Sequence, residues 1–151
     1  MSDDDDRRLL HEAVMLSRNA PPSRTAFSAG AVIAAADGTI LGTGFSRERG
    51  HTSHAEHVAI EKAQEGGADL RASTLYASVE PCSVRLSGLP SCTLRILEAE
   101  IPRVVFAMRE PPVFVEGRGA EMLAAAGVDV VQLSEEAPVV AEINRHLLRN
   151  A

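Results

Sequence analysis

The chain contains few aromatic residues and no long apolar run. Phe, Tyr and Trp make up only 3% of its 151 residues, with one Tyr and no Trp. A core must therefore be built mainly from Ala, Val, Leu and Ile, which a hydrophobic content of 45% allows. No run approaches the roughly 20 apolar residues that a membrane-spanning helix needs. The composition thus predicts an ordinary soluble globular protein that does not span a membrane.

Positive charge is also scarce. Lys and Arg number 15 against 21 Asp and Glu, which gives a net charge of −6. This balance argues against a nucleic acid partner held on a broad basic surface, although a single Arg could still bind a small anion. The N-terminal stretch MSDDDDRRLL begins acidic and has no apolar signal region, so we expect a cytoplasmic protein. Its acidic run, residues 3–6, is expected to be a solvated tail or the start of a helix.

Only two cysteines are present, and both lie in one stretch rich in Gly, Pro and Ser. This stretch, VEPCSVRLSGLPSC, covers residues 79–92 and contains Cys82 and Cys92. In a reducing compartment a structural disulfide is rare, and a cysteine pair more often binds a metal or takes part in catalysis. The two thiols therefore favour a metal site.

Helical and strand patterns alternate along the chain. Helices are expected at 7–18, 54–67, 93–100, 119–128 and 137–149, and strands within 29–46 (two strands), 73–80, 103–108 and 128–133. Asp37-Gly38, between two apolar runs, predicts a hairpin. This order predicts one α/β domain over residues 1–151, in which a five-stranded mixed sheet lies between two layers of helices.

A candidate zinc site combines the two cysteines with one histidine. Catalytic zinc usually has three protein ligands and one open position, and His54, Cys82 and Cys92 form the candidate set. His54 opens one predicted helix and Cys92 lies at the start of another, where the helix dipole favours thiolates. Parallel crossover units bring such helix starts to one edge of a sheet. Glu56, two residues after His54, can face the same cleft without binding the metal.

The order of these residues matches a known pattern. HAE at residues 54–56, followed by Pro81-Cys82 and then Cys92, is the signature of zinc deaminases. In that chemistry zinc hydroxide attacks an amino-bearing ring carbon, Glu56 transfers protons, and ammonia leaves. Two other interpretations stay open at this point. The cysteines could be buried structural thiols beside a helix-capping His54, or the zinc could be a structural ion with a fourth protein ligand.

The long loop between the cysteines carries a narrower resemblance. Most deaminases of this superfamily have two residues between the cysteines, whereas this chain has nine. The stretch EPCSVRLSGLPSC resembles the corresponding loop of the deaminases of riboflavin biosynthesis. GFSRERGHTSHAEHVAIEKA and RVVFAMREPPVFVEGRGAEMLAAAGVDV resemble the segments on either side of it. In all, the resemblance covers about residues 28–131.

This resemblance implies a fold, a substrate and partners. The fold would be the three-layer α/β/α fold of cytidine deaminases, with zinc on the three ligands and Glu56 as the proton shuttle. The substrate would be a diaminopyrimidinone that carries a phosphorylated ribosyl or ribityl chain, and another small base, nucleoside or nucleotide is the alternative. Relatives are commonly dimers or tetramers, so a homodimer or higher homo-oligomer is expected. Because 151 residues leave no room for the reductase domain of bifunctional relatives, a separate reductase is expected too.

Residues beside the metal motif are expected to contact the substrate. The candidates are Phe27, Ser46, His51, Ala55 and Arg85. Phe27 replaces the Asn-Pro of bifunctional relatives and resembles the Phe that lies against the base in cytidine deaminases, although packing in the core is equally expected. Ser46 could bind a ligand hydroxyl, and His51 could either contact substrate or cap its loop.

Three arginines near the motif are candidates for binding a phosphate. They are Arg85 in the cysteine loop and Arg47 and Arg49 after the hairpin, because a guanidinium group binds phosphate in a bidentate manner. A solvated loop arginine is the plainer alternative for each of them. Glu80 is expected to be a structural hydrogen-bond acceptor, and His57 is expected to pack or to face solvent.

Overall fold

The computed structural model describes residues 2–85, 88–114 and 116–148. Its helices are α1 (Asp3–Leu16), α2 (Ala55–Glu65), α3 (Cys92–Glu98), α4 (Gly119–Ala125), α5 (Ala137–Ile143) and α6 (Arg145–Leu148). Its strands are β1 (Gly30–Ala34), β2 (Ile40–Phe45), β3 (Thr74–Val79), β4 (Arg103–Met108) and β5 (Asp129–Gln132). None of the described helices is both long enough and apolar enough to cross a bilayer. Leu86 and Ser87 of the cysteine loop, and Arg149 at the end of the last predicted helix, lie outside the described residues.

The five strands form one mixed sheet in the order β2-β1-β3-β4-β5. β1 pairs antiparallel with both β2 and β3, whereas β3, β4 and β5 are parallel to one another. β2 consequently runs in the same direction as the three parallel strands, so four carboxyl ends lie at one edge of the sheet. The turn at Asp37-Gly38 joins β1 to β2 as predicted, with Gly38 at φ 90°, a conformation that favours glycine.

Helices cover both faces of this sheet and divide the core in two. α2, α3 and α4 pack on one face, where Leu75 and Phe106 are buried. α1 and α5 pack on the other face, where Tyr76 and Val105 are buried. Successive residues of β3 and β4 thus point to opposite cores, as the two-residue period of a strand requires. The predicted three-layer α/β/α arrangement is confirmed.

Two glycines in β2 bring α2 very close to the sheet. A Cβ atom on Gly42 would lie 2.4 Å from the backbone oxygen of Ala59, and one on Gly44 would lie 2.3 Å from that of Ala55. Both clashes would be with helix backbone, which cannot swing away as a flexible side chain can. The glycines therefore allow direct packing, and this packing holds the first turn of α2 beside the strand.

The acidic N-terminal run forms the first turn of α1, but one of its members is not solvated. Asp6 is only 3% exposed, and its carboxylate accepts a hydrogen bond from the Tyr76 hydroxyl at 2.6 Å. Arg103 donates two more, at 2.9 and 2.8 Å, and these hold the pKa of Asp6 below its usual value. The expected helix start is therefore confirmed, and the solvated alternative fails at Asp6 because its partners come from β3 and β4, far away in the sequence.

The last predicted helix is interrupted at Asn144, between α5 and α6. The buried side chain of Asn144 accepts a hydrogen bond from the Ser28 N–H at 2.7 Å and donates one to the Ser28 carbonyl at 3.1 Å. These contacts tie the C-terminal helices to the segment that leads into β1. An uninterrupted helix over this region was therefore a wrong expectation, because the pairing with Ser28 is not visible in the local pattern.

Candidate active site

The three predicted metal ligands come from two helix starts and one loop. His54 immediately precedes α2, Cys92 is the first residue of α3, and Cys82 lies in the loop that follows β3. Ser91 caps α3 by accepting a hydrogen bond from the Leu94 N–H at 3.2 Å. All three ligands thus lie at the sheet edge where the carboxyl ends of four strands meet.

Backbone contacts fix Cys82 against the neighbouring helices. The Thr93 N–H and hydroxyl both donate to the Cys82 carbonyl, at 3.1 and 2.7 Å. On the other side, a Cβ atom on Gly119 would lie only 1.8 Å from the Pro81 carbonyl oxygen, so α4 begins in direct contact with the loop. The loop that carries Cys82 is therefore positioned by the starts of both α3 and α4.

The ligand atoms have the spacing of a metal site. His54 Nδ1 lies 3.5 Å from Cys82 Sγ and 3.4 Å from Cys92 Sγ, and all three ligand atoms lie within 4.8 Å of one another. Zinc bond lengths and tetrahedral angles give an expected N-to-S separation of about 3.6 Å. The donor set and its spacing therefore fit zinc. No other group of this kind is found in the described part of the chain.

Two of the alternative interpretations lose support from the same geometry. The side chain of His54 makes no capping hydrogen bond to α2, and its ring nitrogen faces the two sulfurs instead. Within the described residues the cluster contains three ligands and no fourth. Three ligands are typical of a catalytic zinc site that keeps one position open, whereas structural sites usually have four.

The two thiols differ in how readily they ionise. A hydrogen bond from the Cys92 thiol lowers the pKa of Cys82 to about 4, and nearby His54 also favours the thiolate. The same hydrogen bond, together with complete burial, raises the pKa of Cys92. The backbone N–H of Cys92 adds a further hydrogen bond to Cys82 Sγ at 3.2 Å. Cys82 is therefore the thiol that ionises readily, and a metal cation would displace the proton from Cys92.

Glu56 lies in the first turn of α2 and is only 4% exposed. Burial raises the pKa of its carboxyl, and the negative charge of Cys82 raises the pKa further. A carboxyl group with a raised pKa can both accept and return a proton near neutral pH. Its position beside the ligand cluster suits it to proton transfer at that cluster.

A cavity of about 300 Å³ opens onto the ligand cluster. Its wall includes each residue expected from the sequence to contact substrate, and it includes Glu56. These residues are Phe27, Ser46, His51, Ala55, Glu56 and Arg85. The volume is at the lower end of the range for small-molecule sites. It therefore accommodates a small ring rather than a macromolecule.

Two of these wall residues have local contacts that limit how they can bind a ligand. The ring of Phe27 packs edge-to-face against Phe114, with ring centroids 5.4 Å apart. The Ser46 hydroxyl accepts a hydrogen bond from the Ala29 N–H at 2.8 Å and donates to the Ala29 carbonyl at 3.3 Å. Ser46 could therefore only accept a further hydrogen bond from a ligand. His51 is exposed at the cavity wall, and Ala55 is buried in it.

The three candidate arginines differ sharply in their partners. Arg47 donates to the Pro21 carbonyl at 2.9 and 2.7 Å and to Ser28 Oγ at 3.0 Å. Arg49 forms ion pairs with two glutamates of α2, at 3.3 and 3.0 Å. Both side chains are therefore already engaged.

Arg85 is buried without a counter-ion. It is only 6% exposed and donates to the backbone carbonyls of Thr52 and Pro90. Among the described residues its Nε has no hydrogen-bond partner and no acidic side chain pairs with it. A buried charge without a partner is costly. Arg47 also has no acidic partner in the described part of the chain, but it donates to a carbonyl and a hydroxyl, so Arg85 is the candidate that keeps a donor without an acceptor.

Glu110 and Phe114 are among the residues of the cavity wall that sequence reasoning missed. Both lie in the segment after β4. Burial raises the pKa of Glu110 to about 8, with further contributions from the negative charges of Cys82 and Glu56. A usable signal was present, because Glu110 follows a predicted parallel strand by two residues, at the edge where ligands bind.

Two further expectations concern residues near the site. Glu80 is confirmed as a structural acceptor, because its buried carboxylate accepts hydrogen bonds from the backbone N–H groups of Glu110 and Ala120. His57 lies outside the cavity wall and contacts Glu61 at 3.1 Å, as expected for a packing residue.

Comparison with known proteins gives one family. A family model described as the cytidine and deoxycytidylate deaminase zinc-binding region matches residues 3–108. The diaminohydroxyphosphoribosylamino-pyrimidine deaminase of Schizosaccharomyces pombe is 39% identical over 129 residues. This match covers 81% of the chain and 32% of that protein. The chain therefore spans about a third of the length of this relative.

Solved structures agree with the sequence matches. A Thermotoga maritima diaminohydroxyphosphoribosylaminopyrimidine deaminase and 5-amino-6-(5-phosphoribosylamino)uracil reductase is 29% identical, with a TM-score of 0.84. The match covers 96% of this chain and 40% of that one. The Rib2 deaminase of Aspergillus oryzae, a C-terminal deletion mutant, is 25% identical with a TM-score of 0.82, and the match covers 92% and 90%. The predicted cytidine-deaminase-like fold is confirmed.

Proposed function

We propose that this chain, which belongs to the family of cytidine and deoxycytidylate deaminases with a zinc-binding region, is a zinc-dependent hydrolytic deaminase of a small aminopyrimidine. The observation that carries the proposal is the cluster of His54, Cys82 and Cys92, which lies beside the buried Glu56 at the wall of a small cavity. The proposed substrate is a diaminopyrimidinone with a phosphorylated ribosyl or ribityl chain. The names of the most similar relatives support this choice.

The chemistry follows from the donor set and from Glu56. Zinc held by His54, Cys82 and Cys92 would supply the Lewis acidity that activates a water molecule for attack. Glu56 accepts a proton from that water and delivers it to the departing amino group, so its carboxyl is regenerated in each turnover. Water and the amino-bearing ring carbon are thereby converted into a ring carbonyl and ammonia. Burial raises the pKa of Glu56, which favours its uptake of a proton from water.

The cavity wall supports an assignment of the two ends of the substrate. Phe27 and Phe114 provide an apolar surface for the ring, since aromatic side chains stack on bases of any identity. Arg85 is the candidate for the phosphate, because it is buried in the cavity wall and its Nε has no acceptor among the described residues. Arg47, the other arginine of this wall, already donates to the Pro21 carbonyl and to Ser28 Oγ. A phosphate group would provide the charge that this guanidinium lacks.

The alternative substrate is another small base, nucleoside or nucleotide of the cytidine, deoxycytidylate or guanine type. The zinc cluster and Glu56 would perform the same chemistry on it, and only the cavity wall would select it. A role in editing nucleic acid has less support, because the net charge is −6 and the cavity is small. A purely structural zinc module has less support because the described cluster contains three ligands.

The remaining features of the proposal concern the whole protein. We propose that residues 1–151 form a single deaminase domain, that the protein is cytoplasmic, and that it is a homodimer or higher homo-oligomer. The product would then be reduced by a separate reductase, if the pathway is riboflavin synthesis. Size-exclusion chromatography with light scattering would measure the oligomeric state.

The proposal is tested by measuring ammonia release from the zinc-loaded protein. The panel holds the ribosyl and ribityl diaminopyrimidinone phosphates, cytidine, deoxycytidine monophosphate, cytosine and guanine. We expect release from a diaminopyrimidinone phosphate, and about a 10²–10⁴-fold lower rate in Glu56→Gln at equal zinc content. Release only from a cytosine or guanine compound would replace the substrate and keep the chemistry. No release from any compound would contradict the proposed function.

A further inference from the structure

The segment after β4 is held against the zinc loop by one buried side chain. We call residues 109–114 and 116–119 the wall segment, because Glu110 and Phe114 of this segment line the cavity. The carboxylate of Glu80 has no exposed surface. Its Oε1 accepts a hydrogen bond from the Glu110 N–H at 3.0 Å, and its Oε2 accepts one from the Ala120 N–H at 2.8 Å. One carboxylate therefore binds the backbone at both ends of the wall segment.

Further contacts tie the same two parts of the molecule together. Arg109 lies 3.5 Å from Glu80 Oε2, which adds a positive charge beside the buried carboxylate. Ser83, next to the ligand Cys82, accepts a hydrogen bond from the Arg118 N–H at 3.3 Å. A Cβ atom on Gly117 would lie 2.9 Å from the backbone oxygen of Glu110, so the segment also packs closely against itself. The wall segment is thus attached to residues on both sides of Cys82.

We propose that Glu80 is a positioning residue, which sets the place of Glu110 and Phe114 relative to the zinc site. This inference rests on the proposed function. Glu80 lines the cavity, but its carboxylate has no exposed surface and each oxygen accepts a backbone N–H group, so it is not placed to bind the substrate itself. It acts through the carboxylate of Glu110 and the ring of Phe114, which face the cavity. No described residue donates a hydrogen bond to the Glu110 side chain, so its carboxyl group can pair with a polar group of the substrate ring.

The informative variant is Glu80→Gln, because it keeps the shape and removes one acceptor. The amide nitrogen would face a backbone N–H, so one of the two hydrogen bonds must be lost. We expect KM for the diaminopyrimidinone phosphate to rise about tenfold or more while kcat changes less than about threefold, since substrate binding is affected and the zinc site is not. Zinc content should be unchanged. Amide hydrogen exchange at Glu110 or Ala120 should become at least about tenfold faster.

The matched control is Asp6→Asn, at a second buried carboxylate that accepts several hydrogen bonds but lies at α1, away from the cavity. It should lower stability and leave KM unchanged. An unchanged KM in Glu80→Gln, with a loss of stability like that of the control, would reduce Glu80 to a structural residue and overturn the proposal. A fall in kcat alone would also overturn it.

A measurement on the unmodified protein keeps the inference testable if the Glu80 variant does not fold. The Glu110 and Ala120 amides should exchange at least about tenfold more slowly than the amide of Glu116, an exposed residue of the same segment. Equal exchange rates would overturn the inference. This measurement needs no substrate, so it separates failure of the Glu80 proposal from failure of the proposed deaminase function.

Discussion

Arg85 offers the sharpest test of how the cavity selects its substrate. Its guanidinium is 6% exposed, lies in the cavity wall and has no acidic partner among the described residues. A hydrogen bond to a charged group contributes about 1.5–3 kcal/mol, which corresponds to about a 10- to 150-fold change in affinity. Replacement by Met keeps much of the side-chain length and removes the charge. We therefore expect Arg85→Met to lower kcat/KM for the phosphorylated substrate by that factor.

The assay compares each enzyme on the phosphorylated diaminopyrimidinone and on the same compound without its phosphate. Arg85→Met should lose activity on the first and keep its rate on the second within about twofold, because the phosphate contact is made with the first compound alone, whereas the lost hydrogen bonds to Thr52 and Pro90 affect both compounds equally. Arg85→Lys should be intermediate, since an ammonium keeps the charge and loses the bidentate geometry. Arg49→Met is the matched control, because Arg49 is engaged by glutamates of α2, and it should change neither rate. Equal losses on both substrates would refute the reasoning, as would an effect of Arg49→Met equal to that of Arg85→Met.

Three other predictions concern the metal, the fold and the pH dependence. Cys92→Ser should remove stoichiometric zinc after dialysis, measured by atomic emission, and retained zinc would mean that Cys92 is not a ligand. Gly119→Ala should lower the free energy of unfolding, measured by urea denaturation, by about 2 kcal/mol or more, because the new Cβ atom would clash with the Pro81 carbonyl. Gly66→Ala is the control. Its Cβ atom would make only ordinary van der Waals contacts, so it should change the free energy of unfolding by about 0.5 kcal/mol at most. The pKa of Asp6 is lowered on folding, so its stabilisation is present above the unfolded pKa of about 3.9 and is lost as pH falls through the folded value. The gap in stability between the wild type and Asp6→Asn should therefore be about 3 kcal/mol at pH 7 and smaller at pH 3, and a constant gap would contradict this account.

The alternation of strands and helices could be predicted because it depends on local signals. Asp37-Gly38 marks the hairpin, and the apolar runs of β3 and β4 read as continuous because helices cover both faces. The metal cluster could be predicted from the sequence for a related reason. His54 and Cys92 each mark the start of a helix, and topology alone brings such starts to one edge of the sheet. These inferences need the order of elements and no knowledge of side-chain packing.

The partners of the three candidate arginines could not be predicted from the sequence. Arg47, Arg49 and Arg85 are chemically equivalent in the sequence, and each lies near the motif, so pattern alone ranks them equally. What separates them is supplied by other parts of the chain. Arg47 donates to the Pro21 carbonyl and to Ser28 Oγ, and Arg49 pairs with glutamates of α2. Arg85 keeps an Nε that has no acceptor among the described residues. Asp6 illustrates the reverse case, because an apparently solvated residue is buried by a partner 97 positions away.

Under the proposed function, substrate selection would depend on polar groups that the fold leaves without partners among the described residues. At the metal cluster the sequence predicts the chemistry, because zinc is bound by particular donor atoms and two of the three predicted ligands mark helix starts. At the cavity wall the same residue types are common everywhere on a protein surface, and most are neutralised by neighbours. Arg85 and Glu110 stand out only after the contacts of the wall residues are known, because the described residues leave Nε of Arg85 without an acceptor and bury the Glu110 carboxyl group. A guanidinium and a carboxyl group placed in this way suit a ligand with an anion at one end and hydrogen-bonding ring groups at the other, as in the proposed aminopyrimidine phosphate.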